Sequence, residues 1–123
     1  MTYLTLLYTL LFTSIVGFAQ EYSIRFLDVT DGISNNSITT IYQDNDGYMW
    51  FGTYDGLNRY DGYTFKTFRN EINNPNSLSN NTIYCLEGDE KRQIWIGGNK
   101  GASVYDKSKS LFYSVNCDYV RAS

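Results

Sequence analysis

A gapless internal repeat is the feature that most constrains how this chain can fold. Residues 33–61 recur as residues 78–106, and the matching positions are mostly turn residues and large apolar or aromatic residues. Asp44 returns as Asp89, Trp50 and Gly52 return as Trp95 and Gly97, and Tyr60 returns as Tyr105. A repeat of this length is typical of propeller blades and solenoids, in which each unit buries its faces only against its neighbours.

The composition favours β-structure and excludes several functional classes. Phe, Trp and Tyr make up 17% of the residues, which favours strands. The net charge of -3 leaves no basic stripe for a nucleic acid backbone. Histidine is absent, which removes Ser-His-Asp triads, Cys-His pairs and histidine zinc ligands. We therefore expect a non-catalytic, all-β chain with no cofactor, no metal and no nucleic acid partner.

Each repeat contains four short strand signals separated by turns rich in Asp, Asn and Gly. In the first copy the strands are predicted at residues 37–43, 48–53, 57–60 and 64–68. Ile38 and Ile41 fall on opposite faces of a regular strand, so either both faces of the first strand are buried or the strand is bulged. The pattern predicts β-propeller blades: two four-stranded antiparallel meanders of an incomplete propeller.

The residues retained in both copies predict a packing frame. A tryptophan two residues before a glycine puts a large ring and a position without a side chain on one strand face, which lets sheets approach each other. We favour this packing role over sugar stacking, because one tryptophan occurs at the same place in each copy. The predicted frame is Trp50, Gly52, Gly56 and Tyr60, with Trp95, Gly97, Gly101 and Tyr105 as their counterparts.

The first nineteen residues differ in kind from the rest. They carry no charged side chain, and residues 4–16 are largely apolar. Small residues at Gly17 and Ala19 predict a signal peptide over residues 1–19, cleaved before Gln20. Because no Lys or Arg precedes the apolar run, an uncleaved anchor is the alternative, although the run is shorter than the roughly 18 to 20 residues of a spanning helix. We expect export and no membrane segment after cleavage.

The two cysteines, Cys85 and Cys117, raise the question of a disulfide in an exported chain. Cys85 stands in mid-strand where the first copy has Thr40, and nothing in the spacing holds it near Cys117. We therefore predict that Cys85 is a small buried thiol.

Residues 34–61 resemble the two-component regulator propeller repeat. The motifs that carry the resemblance are Asn-Ser-Ile, Asp-x-x-Gly, Trp-Phe-Gly-Thr, Asp-Gly-Leu and Tyr-Asp, and the second copy matches more loosely. This repeat builds the periplasmic sensor of hybrid two-component systems in Bacteroides and related gut bacteria. The resemblance implies that further blades, a β-sandwich domain, a membrane helix and a histidine kinase core follow. We therefore expect an N-terminal fragment of a periplasmic sensor whose parent is anchored in the inner membrane.

The resemblance and the repeat together give a division of the chain. It consists of a signal peptide (1–19), an orphan outer strand of a closing blade (20–32, with the strand at 22–26), a first blade with its linker (33–77), a second blade (78–116) and a tail (117–123). A closed propeller needs about four to eight blades, so two blades leave apolar faces uncovered. Residues 20–123 alone are therefore expected to be poorly ordered or to self-associate.

One edge of the sheets is the candidate ligand site. The turn between the second and third strands and the connection between blades lie at the same edge, which we call the rim. The rim residues are Asn35, Asn36, Tyr54, Asp55, Asn80, Asn81, Asn99 and Lys100. Amide and aromatic groups suit sugar hydroxyls, so the expected partners are an oligosaccharide, the remaining blades of the parent and a second copy in a parent homodimer.

Several alternatives remain open at this point. Residues 44–47 resemble part of a calcium loop and the Asp-box turn of sialidases, but both patterns are incomplete and a hairpin turn is favoured. Asn35 and Asn80 lie in Asn-x-Ser/Thr sequences, for which turn capping is favoured over glycosylation. An exported propeller hydrolase or lyase acting on glycans and a structural scaffold propeller are the rival functions.

Overall fold

The computed structural model describes residues 2–12 and 20–115, which form two four-stranded antiparallel sheets, each with its strands in chain order. The first sheet, blade 1, contains β1 (Ile38–Gln43), β2 (Met49–Thr53), β3 (Gly56–Tyr60) and β4 (Phe65–Phe68). The second, blade 2, contains β5 (Ile83–Gly88), β6 (Gln93–Gly98), β7 (Gly101–Asp106) and β8 (Leu111–Val115). Helix α1 (Thr2–Phe12) and a short 3₁₀ turn (Val29–Asp31) precede them. The prediction of two meanders is confirmed.

The first strand of each blade is bulged. The register between β1 and β2 shifts between Ile38 and Thr40, and the same shift occurs between Ile83 and Cys85 in blade 2. The extra residue brings Ile38 and Ile41 to the same face, since they pair with Thr53 and Phe51 two residues apart on β2. The bulge is therefore the correct one of the two sequence interpretations.

An aspartate ties the β1–β2 turn to the tryptophan of β2. Asp44 Oδ1 accepts hydrogen bonds from the backbone N–H groups of Asp46 and Tyr48 at 2.9 and 3.0 Å, and Asp44 Oδ2 accepts one from the Trp50 indole at 2.8 Å. Blade 2 repeats this tie with Asp89, whose Oδ2 lies 3.0 Å from the Trp95 indole nitrogen. Because the turn organises both carboxylate oxygens of Asp44, the hairpin interpretation of this segment is preferred over a calcium loop.

The core lies between the two blades. One face of blade 1 packs on the opposite face of blade 2, and aromatic rings fill the contact: Trp50 lies 5.4 Å from Tyr105 and 5.8 Å from Phe68, centroid to centroid. The buried cluster is Trp50, Leu57, Leu78, Ile83, Ile94, Ile96, Tyr105 and Phe112. Each blade thus buries one face against its neighbour, as a propeller requires.

Gly52 is needed where the two blades come closest. A Cβ placed on Gly52 would lie 2.7 Å from Ile83 Cγ2 of blade 2 and 2.6 Å from Thr40 Cγ2 of its own sheet. Both distances are well inside van der Waals contact, so any side chain there would push the blades apart. Gly52 therefore has the packing role that the frame prediction gave it.

Within residues 2–12 and 20–115, nothing covers the outer face of blade 2. Trp50 is fully buried by blade 2, whereas its counterpart Trp95 is 43% exposed. The outer face of blade 1 is uncovered in the same way, since Ile38 is 38% exposed and its counterpart Ile83 only 1%. The frame residues thus occupy equivalent positions in both blades, but only those at the contact between blades are enclosed.

The prediction of a buried thiol at Cys85 is wrong. Cys85 is exposed, because it lies on the same face of blade 2 as Trp95 and no blade packs over that face. Its sulfur sits over Gly97, as Thr40 sits over Gly52 in blade 1. Cys117 lies outside the described residues, as does the tail after Asn116.

The signal peptide predicted over residues 1–19 stays a prediction. Residues 4–12 of the apolar run lie in α1, while the predicted cleavage site falls outside the described residues. Residues 22–26 form no strand here, since the described part of the chain offers them no partner strand. Their role as the outer strand of another blade stays a prediction. Across residues 2–12 and 20–115, no helix has the length and apolar character needed to cross a membrane.

Candidate functional site

The rim residues gather at one edge of the two blades. The backbone N–H of Gly56 in the β2–β3 turn donates a hydrogen bond to the Asn81 carbonyl at 2.6 Å, and that of Asn99 in the β6–β7 turn donates to the Thr82 carbonyl at 3.2 Å. The connection through Asn80 and Asn81 therefore joins the tight turns of both blades. The structure brings the predicted rim residues to the same edge of the sheets.

Most rim asparagines are engaged in holding turns. Asn35 Oδ1 accepts from the Ser37 N–H, and Asn80 Oδ1 accepts from the Thr82 N–H, each at 2.7 Å. This matches the capping interpretation of both Asn-x-Ser/Thr sites. Asn36 Oδ1 and Asn81 Oδ1 accept from the N–H groups of Val29 and Asn70 at 3.0 and 2.7 Å.

The remaining rim side chains differ in how they are held. Arg69 binds Asp55 in a two-point ion pair, with Nε to Oδ1 at 3.2 Å and Nη2 to Oδ2 at 3.1 Å. Tyr54, Asn99 and Lys100 are exposed. Within residues 20–115, no side-chain hydrogen bond engages these three residues. They are the rim groups best placed to meet a ligand.

A polar cleft, which the sequence reasoning missed, opens at the opposite edge of the sheets. We call it the inter-blade cleft; its volume is about 410 Å³, and it lies between the β1–β2 turn of blade 1 and the β5–β6 and β7–β8 turns of blade 2. Its lining includes Asp46, Tyr48, Trp50, Arg59, Arg92 and Lys107. The cleft needs only the two blades present in this chain.

Two cations of blade 2 reach across the inter-blade cleft to carboxylates of blade 1. Lys107 Nζ lies 2.9 Å from Asp46 Oδ2 and 3.5 Å from Asp44 Oδ2, and its side chain is only 10% exposed. Arg92 Nη2 lies 3.1 Å from the same Asp46 oxygen. The hydrogen bond from Lys107 holds the pKa of Asp46 below its ordinary value, against the effect of desolvation, and the charges of Lys107 and Arg92 add to it.

Arg59 occupies the cleft without a carboxylate partner. Its guanidinium carbon lies 4.7 Å from the centre of the Tyr48 ring and 5.7 Å from that of Trp50. These are cation–π distances. Within residues 20–115, no hydrogen bond or ion pair engages the Arg59 guanidinium. Its N–H groups are therefore not used by any acceptor of the described chain.

The inter-blade cleft escaped the sequence reasoning because that reasoning followed the positions shared by the two copies. Several cleft residues differ between the copies: Arg59 corresponds to Val104, Tyr48 to Gln93, and Lys107 to Gly62. This divergence was the available signal. Asp44 and Asp89 were also absent from the predicted frame, although they recur and hold both tryptophans.

Two stacked four-stranded meanders with this aromatic contact are neighbouring blades of a β-propeller. Residues 32–55 and 77–100 each match the family model described as two component regulator propeller. The two matched segments lie at equivalent positions in blade 1 and blade 2.

Known proteins similar to this chain include a histidine kinase and the extracellular domain of a hybrid two-component system. It is 44% identical over 63 residues to Histidine kinase P4 of Formosa agariphila, a stretch that covers 50% of this chain and 5% of that protein. It also resembles the crystal structure of the extracellular domain assigned to the hybrid two component system BT3049 of B. thetaiotaomicron. That match has a TM-score of 0.69 and 31% identity, and it covers 76% of this chain and 13% of the other. The chain thus spans a small fraction of both relatives.

Proposed function

We propose that this chain is the N-terminal part of a non-catalytic, ligand-sensing propeller that belongs to a hybrid two-component sensor. The observation that carries the proposal is the pair of two-component regulator propeller repeats, which are matched at the same internal positions in both blades. The similarity to a histidine kinase and to the extracellular domain of a hybrid two-component system supports it. In this proposal the propeller binds the signal and a kinase outside this chain transmits it.

The proposed ligand is a glycan-derived oligosaccharide bound at the rim. Tyr54, Asn99 and Lys100 supply a hydroxyl, an amide and an ammonium group, which suit sugar hydroxyls. The turns that carry them are joined through the connection between blades, so a ligand could contact two blades at once. Propeller loops at such an edge are a common place for recognition.

The proposed location is the periplasm, with export directed by residues 1–19. The similarity to an extracellular domain supports a place outside the cytoplasm. The proposed partners of the uncovered blade faces are the remaining blades of the parent, and the parent is proposed to act as a homodimer. An exported glycan hydrolase or lyase and a scaffold propeller remain the rival functions.

The experiment is a binding titration on the parent sensor with a panel of neutral oligosaccharides. A Tyr54→Ala and Lys100→Ala double variant should weaken binding of any ligand that the parent recognises. Tyr63→Ala is the matched control, because Tyr63 is also an exposed tyrosine and lies in the β3–β4 turn at the opposite edge. If the parent binds an oligosaccharide and the double variant binds it equally well, the rim is not the ligand site. If the parent cleaves the oligosaccharide, the rival function of a glycan hydrolase or lyase is favoured.

A further inference from the structure

The inter-blade cleft has an excess of positive charge. Arg59, Arg92 and Lys107 line it, while Asp46 is the single lining carboxylate among the described residues and Asp44 lies behind it, almost fully buried. Asp46 is the nearest partner of both Arg92 and Lys107. When every pair is counted, the cation left over is Arg59.

The Arg59 guanidinium is held in place before any ligand arrives. Three aromatic rings surround it, those of Tyr48, Trp50 and Phe68, with the farthest ring centre at 5.9 Å. Trp50 is itself fixed by its hydrogen bond to Asp44. A guanidinium carries five N–H donors and pairs with a carboxylate through two parallel hydrogen bonds. Because the rings already restrict the side chain, a bound carboxylate would cost little further ordering.

The repeat provides an internal control for the inter-blade cleft. Residues that build the blade recur in both copies, whereas Arg59 and Lys107 have Val104 and Gly62 as counterparts. The cationic cleft is therefore specific to the junction of these two blades. A role confined to building blades would not require Arg59, since blade 2 has the same strand with a valine there.

We propose that the inter-blade cleft binds the carboxylate of an acidic sugar, with the Arg59 guanidinium as its main partner and with Lys107 and Arg92 adding to the positive field. The sugar part of this proposal rests on the proposed function, whereas the carboxylate part stands on the cleft alone. The volume of about 410 Å³ is large enough for one monosaccharide unit.

Calorimetric titration of the purified chain with glucuronate, glucose and acetate tests the proposal. Glucuronate should bind, glucose should not, and acetate should bind several-fold more weakly than glucuronate. Arg59→Met should lower the affinity for glucuronate by about tenfold or more, the typical loss for a hydrogen bond to a charged group. Arg69→Met is the control, because Arg69 pairs with Asp55 at the rim, on the opposite edge.

The fluorescence of Trp50 provides a second measurement of where the sugar binds. In a Trp95→Phe background Trp50 is the single tryptophan, so its emission should respond to glucuronate in the same concentration range as the calorimetric signal. Arg59→Lys serves where Arg59→Met unfolds the chain, and it should weaken binding while it keeps the charge. Higher salt should weaken binding, because the attraction is partly between exposed charges.

Three results would overturn the proposal: no glucuronate binding by the wild-type chain when circular dichroism shows it folded, equal affinity in the wild type and in folded Arg59→Met, or acetate binding as tightly as glucuronate. The failure of the cleft is distinguishable from the failure of the sensory function. If the parent binds a neutral oligosaccharide but the chain ignores glucuronate, the cleft proposal fails and the proposed function stands. If glucuronate binding depends on Arg59 but no neutral oligosaccharide binds the parent, the cleft proposal is supported and the proposed oligosaccharide site at the rim is not.

Discussion

The two tryptophans provide the sharpest test of the blade arrangement, because the same residue occupies the same place in a covered blade and in an uncovered one. Trp50→Phe removes an indole that is fully buried and leaves Asp44 Oδ2 without its 2.8 Å donor. The lost hydrogen bond to a buried carboxylate costs about 1.5–3 kcal/mol. The smaller ring adds a cavity term of about 1 kcal/mol. The expected loss is therefore about 2–4 kcal/mol of the free energy of unfolding.

Trp95→Phe is the matched control. It removes the same indole from the same position, and Asp89 loses the equivalent hydrogen bond at 3.0 Å. Since Trp95 is 43% exposed, water can replace the lost donor and fill the space that the smaller ring leaves. The cost at Trp95 should be well under half of the cost at Trp50.

Urea unfolding followed by far-UV circular dichroism measures the difference without relying on tryptophan emission. With a typical urea slope of about 1–3 kcal/mol per molar, Trp50→Phe should lower the midpoint by about 1 M or more. The titration is run at low protein concentration, with sedimentation velocity to establish that each variant has the same association state. Equal midpoint shifts for the two variants would refute the claim that only one face of each blade is covered within this chain.

Three further predictions follow from the contacts between and within the blades. The pKa of Asp89 is lowered mainly by the hydrogen bond from Trp95, with backbone N–H groups adding to it, so its stabilising effect is present above the ordinary value of 3.8 and is lost as pH falls below that value through the lower folded pKa. The melting temperatures of wild type and Asp89→Asn should therefore converge as pH falls below 3.8, and a constant gap would contradict this. Gly52→Ala should destabilise the chain strongly, because Ile83 of blade 2 occupies the space that the new methyl group needs. Gly47→Ala should cost only the strain of a positive φ, since no atom lies near a Cβ at that position. Urea midpoints compare the two variants, and equal losses of stability would count against the close approach of the two blades at Gly52. Residues 20–123 expressed alone should associate in a concentration-dependent way through the uncovered faces, and Trp95→Lys should reduce that association in sedimentation velocity; a monomer with a sharp cooperative transition would contradict it.

The strands and turns could be predicted from the sequence because local chemistry determines them. Asp, Asn and Gly bound each hairpin, so the strand predicted at 48–53 differs from Met49–Thr53 by one residue. In the second copy Arg92 adopts the positive φ that glycine favours in such a turn, which explains how the turn survives without a glycine. The bulge could only be offered as one of two options, since a break in alternation has the same appearance when both faces are buried.

Exposure could not be predicted, because it depends on which blade lies next to a residue. Cys85 has the mid-strand position and small size of a buried residue, and its counterpart Thr40 is indeed partly covered. What separates them is that blade 2 covers the Thr40 face of blade 1, whereas nothing in the described chain covers the Cys85 face of blade 2. A repeat pattern specifies the position of a residue within its blade, but burial is a property of the stack.

The difference between position within a blade and place in the stack explains why the sequence predicted the rim, whereas only the structure showed the inter-blade cleft. The rim asparagines Asn35, Asn36, Asn80 and Asn81 recur because each blade needs a turn there, and their side-chain oxygens are accordingly used by backbone N–H groups. At the inter-blade cleft the opposite holds: Arg59 and Lys107 break the repeat and meet across two blades. Residues that a repeat must keep are those that build it, so a functional residue in such a chain is better sought where the copies disagree and the fold then brings the disagreements together. By this criterion Arg59 is a stronger candidate for ligand contact than any of the rim asparagines.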